Sequence, residues 1–204
     1  MRRAILAAAA LGLACSSGPP PTPAAGPAPA AAPEAVRPTI TVREHYYDID
    51  GSSTGALRDQ IRRLGPKDGG ESRDALTVWN LEWTYHEVPS SDACALRDVR
   101  VTLDVAITLP RWAAPRGAAP EVVAAWRKYL EHVRLHEAGH RAIAERNARD
   151  LTAALVAVRA PSCREAGDSA SRTAEQIVAD GRARNRAYDV DTKHGQTQGV
   201  VLGP

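Results

Sequence analysis

The alternation of apolar and polar residues marks three stretches of the chain as β-strands. Residues 39–49, TITVREHYYDI, alternate in this way and are rich in β-forming residues. Residues 75–88 and 96–110 also place apolar side chains on one face by a period of two. The segment PSSDACA between these two is a turn signal, so we expect a long antiparallel pair with its other face in solvent. The apolar faces comprise Trp79, Leu81, Trp83 and Tyr85, and Val99, Val101, Leu103, Val105, Ile107 and Leu109.

Apolar residues at helical spacing predict three helices. A short helix is expected over residues 53–64, where Gly-Pro follows as a stop signal. A long helix is expected over residues 121–159 and a second over residues 164–188, with APSC as the connection. The tail from residue 189 onward is Gly-rich and predicted to be non-helical. The fold class is therefore α+β, a small antiparallel sheet with a short helix, followed by a long antiparallel two-helix hairpin.

The first 38 residues do not belong to this folded unit. Residues 1–14, MRRAILAAAALGLA, combine a positive start with an apolar run shorter than the ~20 residues that span a bilayer, which predicts a signal peptide. Cys15 follows where the lipobox of a bacterial lipoprotein places its acylated Cys; simple cleavage of the signal is the alternative. Residues 15–38 are rich in Pro and Ala and predict a semi-extended tether. The domain then covers residues 39–204.

The charge balance restricts the partners. The chain has 26 Lys and Arg against 24 Asp and Glu, and loss of Arg2 and Arg3 with the signal peptide makes it formally neutral. A nucleic-acid partner is not expected, since phosphate binding needs a basic surface. We expect an exported lipoprotein of the cell envelope that faces the periplasm and meets the membrane only through its lipid anchor. An Asp directly after the lipidated Cys would retain a lipoprotein in the inner membrane. Ser16 occupies that position here, which slightly favours the outer membrane.

Two cysteines remain once Cys15 is assigned to the anchor. Because disulfides persist outside the cytosol, Cys94 and Cys163 are expected to form one bridge, with two free buried thiols as the alternative. Such a bridge closes a loop of about 70 residues and is worth roughly 3–4 kcal/mol of stability.

The segment HEAGH, residues 136–140, has the HExxH spacing of a zinc-peptidase helix. Residues four apart share a helix face, so His136 and His140 can both reach one zinc ion, at about 2.1 Å. Glu137 lies one position along the helix and is poorly placed to bind the same ion. It can instead point at a water bound to the ion and act as the general base that deprotonates it. Gly139 costs roughly 1 kcal/mol relative to Ala in a helix interior, which is consistent with a close approach to the helix. A chance match in a charged helix is the alternative interpretation.

A zinc peptidase also needs a third protein ligand. If the two long helices form an antiparallel hairpin, the end of the second helix and the tail return to HEAGH. His194 is the preferred third ligand, because it would complete a three-histidine set and Gly195 lets the loop bend inward. Asp189 is the close alternative, as a ligand or as a partner that orients a His. Tyr188 is a candidate donor to a developing oxyanion, with packing as the alternative.

The chain resembles a bacterial family of unknown function that is usually described as predicted secreted zinc-dependent proteases. The resemblance covers about residues 39–199 and lies in YYDIDG, RLGPKDGG, WNLEWTY, VTLDVAITLPRW, HEAGHRAIA and RNRAYDVDTKHGQTQG, with Cys94 and Cys163. It implies that the HEAGH residues form the family's zinc motif and that the two cysteines match a recurring pair. It also favours Asp189 over His194, because the aromatic-Asp pair recurs more widely than the His-Gly that follows.

These observations predict an exported zinc-dependent hydrolase, and favour a metallopeptidase that acts on a peptide or cell-envelope substrate. The alternative from another class is a non-catalytic metal-binding envelope lipoprotein that serves as a binding or scaffolding module. A third interpretation makes the motif accidental and the protein structural.

Overall fold

The computed structural model describes residues 36–203, which form a mixed α+β fold with three α-helices and a sheet of mostly antiparallel strands. The predicted signal peptide, Cys15 and most of the tether lie outside these residues. The elements in chain order are β1 (Thr39–Ile49), α1 (Thr54–Leu64), β2 (Lys67–Asp68), β3 (Glu71–Ser72), β4 (Leu76–Pro89), β5 (Cys94–Trp112), α2 (Pro120–Ala157), β6 (Arg159–Ala160), α3 (Cys163–Thr192) and a 3₁₀ turn (Gln196–Gln198).

Strand β5 is the centre of the main sheet. The predicted pairing of β4 with β5 is confirmed: the two strands run antiparallel from Leu76 opposite Thr108 to Pro89 opposite Cys94. Strand β1 occupies the other edge of β5 and pairs with it in parallel, giving the order β1-β5-β4. The expectation of an antiparallel sheet is therefore wrong for this pair, because the alternation in β1 predicts a strand but carries no information about its direction.

The apolar face of the sheet contributes a large part of the core. All six predicted core positions of β5 are buried, and Leu81 of β4 is 8% exposed. The polar residues that alternate with the apolar ones in β4, Asn80, Glu82 and Thr84, are exposed. Thr77 extends the same face of β4 and is the polar residue buried there. The buried face of the sheet packs against α2. A polar side chain from β4 is therefore presented directly to that helix.

Helix α2 begins with Pro120 at its first turn, where a missing backbone N–H costs nothing. Its buried stripe follows helical spacing and comprises Val122, Trp126, Tyr129, Val133, His136, Glu137, His140, Ala144, Asn147, Ala148, Leu151, Thr152 and Leu155. The two histidines therefore interrupt an otherwise mostly apolar stripe. Among residues 36–203, no helix carries an apolar stretch long enough to cross a bilayer.

Helix α3 packs closely on α2 through small residues. Its buried side is built from Ala166, Ala170, Ala174 and Gly181, and a Cβ added at Gly181 would overlap the Asn147 amide of α2. The predicted bridge is confirmed, because Cys94 at the start of β5 and Cys163 at the start of α3 form a disulfide with 4.9 Å between their Cα atoms. The sheet and α3 are thus joined covalently at one end.

Helix α3 is longer than the sequence predicts, because it continues past Tyr188 to Thr192. The Thr192 hydroxyl donates to the Tyr188 carbonyl at 2.7 Å and accepts from the Gly195 N–H at 3.2 Å, which satisfies backbone groups at the helix end. Asp189, expected at the start of a non-helical tail, is consequently held on a helix.

Candidate metal centre

The two histidines of HEAGH lie side by side on the buried face of α2. His136 and His140 are 6% and 7% exposed, and their Nε2 atoms are 3.3 Å apart. The rings meet edge to face, with centroids 4.8 Å apart. Two imidazole nitrogens thus converge on one point, as the four-residue spacing predicts.

Asp189 of α3 completes a group of three ligand atoms. Its Oδ1 atom lies 3.3 Å from Nε2 of His136 and 3.1 Å from Nε2 of His140. Within the described residues, His136, His140 and Asp189 form the group whose ligand atoms all lie within 4.8 Å of one another. Zinc bonds of 2.0–2.1 Å at tetrahedral angles put ligand atoms about 3.3–3.4 Å apart, so the donor separations fit a zinc ion.

Two amide oxygens orient the histidines. Nδ1 of His136 lies 2.9 Å from Oε1 of Gln198, and Nδ1 of His140 lies 3.2 Å from Oδ1 of Asn185. Because an amide oxygen only accepts, these contacts favour the neutral tautomer with the proton on Nδ1, in which the lone pair of Nε2 faces Asp189. In that tautomer two lone pairs and a carboxylate oxygen face one another, an arrangement that a bound metal cation or a proton on one ring stabilises.

His140 and Asp189 shift each other's pKa in the directions that favour their charged forms. Burial lowers the pKa of His140, but its hydrogen bond to Asp189 and the carboxylate charge outweigh burial, so the pKa is raised overall. Burial raises the pKa of Asp189, but hydrogen bonds from His136 and His140 dominate, so its pKa lies well below its usual range. Both shifts have one cause, since the Asp189 carboxylate stabilises positive charge on the imidazole beside it.

Glu137 lies beside the group and is 4% exposed. Its Oε2 atom accepts a hydrogen bond from the Thr77 hydroxyl of β4 at 2.6 Å. Burial raises the pKa of Glu137, while that hydrogen bond and the charges of His140 and His136 lower it in part. A carboxylate with a raised pKa is better matched to accepting a proton near neutral pH.

Tyr188 packs between α2 and the C-terminal turn. Its ring stacks on His136 with centroids 5.1 Å apart and planes 12° apart, and its hydroxyl accepts from Nε2 of Gln198 at 2.9 Å. A Cβ at Gly139 would overlap the Tyr188 hydroxyl and ring. Gly139 is thus the position where Tyr188 approaches the helix, which accounts for a residue that weakens a helix interior.

His194 lies at the edge of the centre and outside the three-residue group. Its Nδ1 atom is 3.3 Å from Oδ1 of Asp189, and its side chain is 49% exposed. The backbone turns there through three consecutive left-handed residues, Lys193, His194 and Gly195, the last with φ of 81°. A Cβ on Gly195 would lie 3.0 Å from the His136 ring, so this glycine does let the loop bend inward.

Two clefts open on either side of the centre. One, of about 690 Å³, runs from His136 and Glu137 toward α1 and the end of the chain. The other, of about 410 Å³, lies between His140, Asp189 and the β2–β3 hairpin. Glu137 and His194 line both, so the centre is reached from two directions.

Three residues of the centre were not identified from the sequence. Asn185 lies four residues before Asp189, so helical spacing alone could have placed it on the same face. Thr77 continues the apolar face of β4, and a lone polar residue there could have been noticed. Gln198 gives no comparable signal, because it reaches His136 only through the turn after α3.

Residues 44–195 match the family described as a bacterial protein of unknown function, DUF922. The match begins within β1, ends at Gly195 just after α3, and includes every residue of the three-ligand group. Neither a curated protein nor a solved structure matches the chain. The chain belongs to the DUF922 family of bacterial proteins of unknown function.

Proposed function

We propose that this protein is a zinc-dependent hydrolase of the cell envelope, and specifically a metallopeptidase. The observation that carries the proposal is the convergence of Nε2 of His136, Nε2 of His140 and Oδ1 of Asp189 at separations of 3.1–3.3 Å. Their spacing matches the edges of a tetrahedral zinc site with one position left for water or substrate. Asp189, rather than His194, is the proposed third ligand.

The ligand set depends on α2 and α3 acting as an antiparallel hairpin that carries the HExxH motif. Asn147 contacts Gly181 and Arg184, and His140 contacts Asn185 and Asp189, so later residues of α2 meet earlier residues of α3. In this register Asp189 faces the motif.

A bound zinc ion supplies Lewis acidity, which lowers the pKa of water and polarises a carbonyl group. Glu137 has the position and the raised pKa of the general base that takes a proton from the attacking water and returns it to the leaving amine. The Thr77 hydroxyl fixes one oxygen of Glu137 and leaves the other to exchange the proton. Tyr188 holds His136 by stacking and is a positioning residue in this scheme.

The proposed location is outside the cytosol, on a lipid anchor at Cys15. The disulfide between Cys94 and Cys163 supports export, because such bonds persist in oxidising compartments. The proposed substrate is therefore a peptide or a cell-envelope polymer that the tethered domain can reach.

The test combines metal content with hydrolysis. The mature wild-type chain is expected to bind about one zinc ion, as the three-ligand set requires, and Asp189→Ala to lose it. Glu137→Gln should retain the metal but lose hydrolysis of a peptide mixture, read by mass spectrometry. Full hydrolysis by Glu137→Gln would refute the mechanism. Tight zinc without cleavage of any peptide or envelope fraction by the wild type would favour a non-catalytic binding lipoprotein.

A further inference from the structure

The cleft between α3 and the β2–β3 hairpin is lined by basic side chains. Arg182 and Arg186 lie one turn apart on α3, and Arg182 is seven residues before the proposed ligand Asp189, on the same side of the helix. Lys67 and Arg73 line the cleft from the hairpin side. The wall of this cleft therefore carries four cationic groups next to the metal group.

Most of this positive charge has no partner. Among residues 36–203, neither Arg182, Arg186 nor Lys67 forms an ion pair, while Arg73 has a long one with Asp68 at 3.8 Å. The other acidic groups lining the cleft belong to the proposed catalytic centre. The part of the cleft farther from that centre therefore has an excess of positive charge.

The cleft on the opposite side of the centre has a different balance. There Arg58 is bound by both carboxylate oxygens of Asp74, and Arg62 pairs with Asp59 at 3.5 Å. The half-buried Arg58 is thus held within the fold, whereas the pair of Arg62 with Asp59 is exposed on both sides. Arg73 lines both clefts, so the two approaches to the metal group differ in Lys67, Arg182 and Arg186, which line only the cleft beside α3.

We propose that the cleft beside α3 binds the carboxylate side chains of an acidic peptide substrate. This inference rests on the proposed function, since it takes the metal group as the reacting centre. Guanidinium groups form charge-assisted, two-pronged hydrogen bonds with carboxylates. Arg182 and Arg186 would hold acidic residues on one side of the scissile bond, while the charge-balanced cleft accepts neutral residues on the other.

The test measures binding separately from hydrolysis. Two labelled peptides that differ only in a Glu-Glu pair replaced by Gln-Gln are titrated by fluorescence anisotropy into the zinc-supplied Glu137→Gln chain. The Glu peptide is expected to bind about tenfold more tightly, because exposed ion pairs contribute modestly but two act together. The preference should shrink as ionic strength rises from about 0.05 to 0.5 M, since the Debye length then becomes shorter than most charge separations.

Paired variants identify the cleft. Arg182→Gln with Arg186→Gln should abolish the preference for Glu. Arg164→Gln with Arg172→Gln removes the same charge from exposed positions of α3 that do not line the cleft, and should leave the preference intact. Equal binding of both peptides, or an unchanged preference in the first double variant, would overturn the inference.

The outcome remains separable from the proposed function. Zinc uptake with equal affinity for both peptides rejects the basic cleft and leaves the hydrolase proposal standing. A preference for Glu in a chain that takes up no zinc rejects the hydrolase and supports the cleft as an acidic-peptide site. Purified cell-wall stem peptides, which also carry carboxylates, are titrated in a second arm of the experiment. If they bind more tightly than the linear Glu peptide, the acidic ligand of the cleft comes from the cell wall. If they bind more weakly, it comes from proteins.

Discussion

The substitution Gly139→Ala distinguishes the effect of tertiary packing from that of local helix propensity, because the two predict changes in stability of opposite sign. Ala is favoured over Gly by about 1 kcal/mol in a helix interior, so propensity alone predicts a more stable protein. In the structure, the added Cβ would overlap the hydroxyl and ring of Tyr188. We therefore expect the free energy of unfolding to fall.

The size of the effect depends on how far Tyr188 can move. Its ring is stacked on His136 with centroids 5.1 Å apart, and its hydroxyl is held by Gln198 at 2.9 Å. Overpacking at such a site costs typically 1–3 kcal/mol, which exceeds the gain in propensity. The net loss is expected to be about 1 kcal/mol. Zinc affinity should fall at least tenfold, because a displaced Tyr188 shifts His136 and the adjacent Asp189.

Urea denaturation of the metal-free chain measures the stability term, and a chelator competition measures the affinity. The control is Tyr188→Ala, in which the obstructing ring is absent. In that background Gly139→Ala should stabilise the protein by up to about 1 kcal/mol, as propensity predicts. A stabilising effect of Gly139→Ala in the wild-type background would refute the steric argument.

Three further predictions address the ligands, the disulfide and the buried tyrosine. Asp189→Asn should weaken zinc binding at least tenfold more than His194→Ala in a chelator competition, because only Asp189 belongs to the three-atom group; equal losses would count against this ligand set. Replacing Cys94 and Cys163 by Ser should lower the free energy of unfolding by about 4 kcal/mol, from a sequence separation of 69; an unchanged urea midpoint would contradict this. Burial raises the pKa of Tyr129 well above its usual value, so stability should be complete below about pH 10 and decline above it. Tyr129→Phe should flatten that decline, and an identical alkaline profile would show that other groups cause it.

The strands were predictable because their signal is local. Each apolar side chain of β4 and β5 returns to the same face after two residues, and the turn between the strands requires an antiparallel pair. The parallel partner β1 was not predictable in this way. Its direction depends on the path that the chain takes between β1 and β5 through α1 and β4, and no residue of β1 records that path.

Half of the candidate centre was likewise visible in one segment. His136 and His140 share a helix face because four residues nearly complete a turn, so their convergence needs no tertiary information. Cys94 and Cys163 were predicted from their number and from export, and the disulfide confirms the pair.

Only the tertiary structure decided which residue meets the two histidines. Asp189 follows His140 by 49 residues, and its place depends on the register of α3 against α2, which Gly181 allows by admitting Asn147. It depends equally on α3 continuing to Thr192, where a side-chain hydroxyl satisfies the helix end. The sequence determined the helix face that carries the histidines, because helical periodicity acts over a few residues. The position of Asp189 beside them depends on packing between distant segments, and steric fit of that kind exists only once the chain is folded.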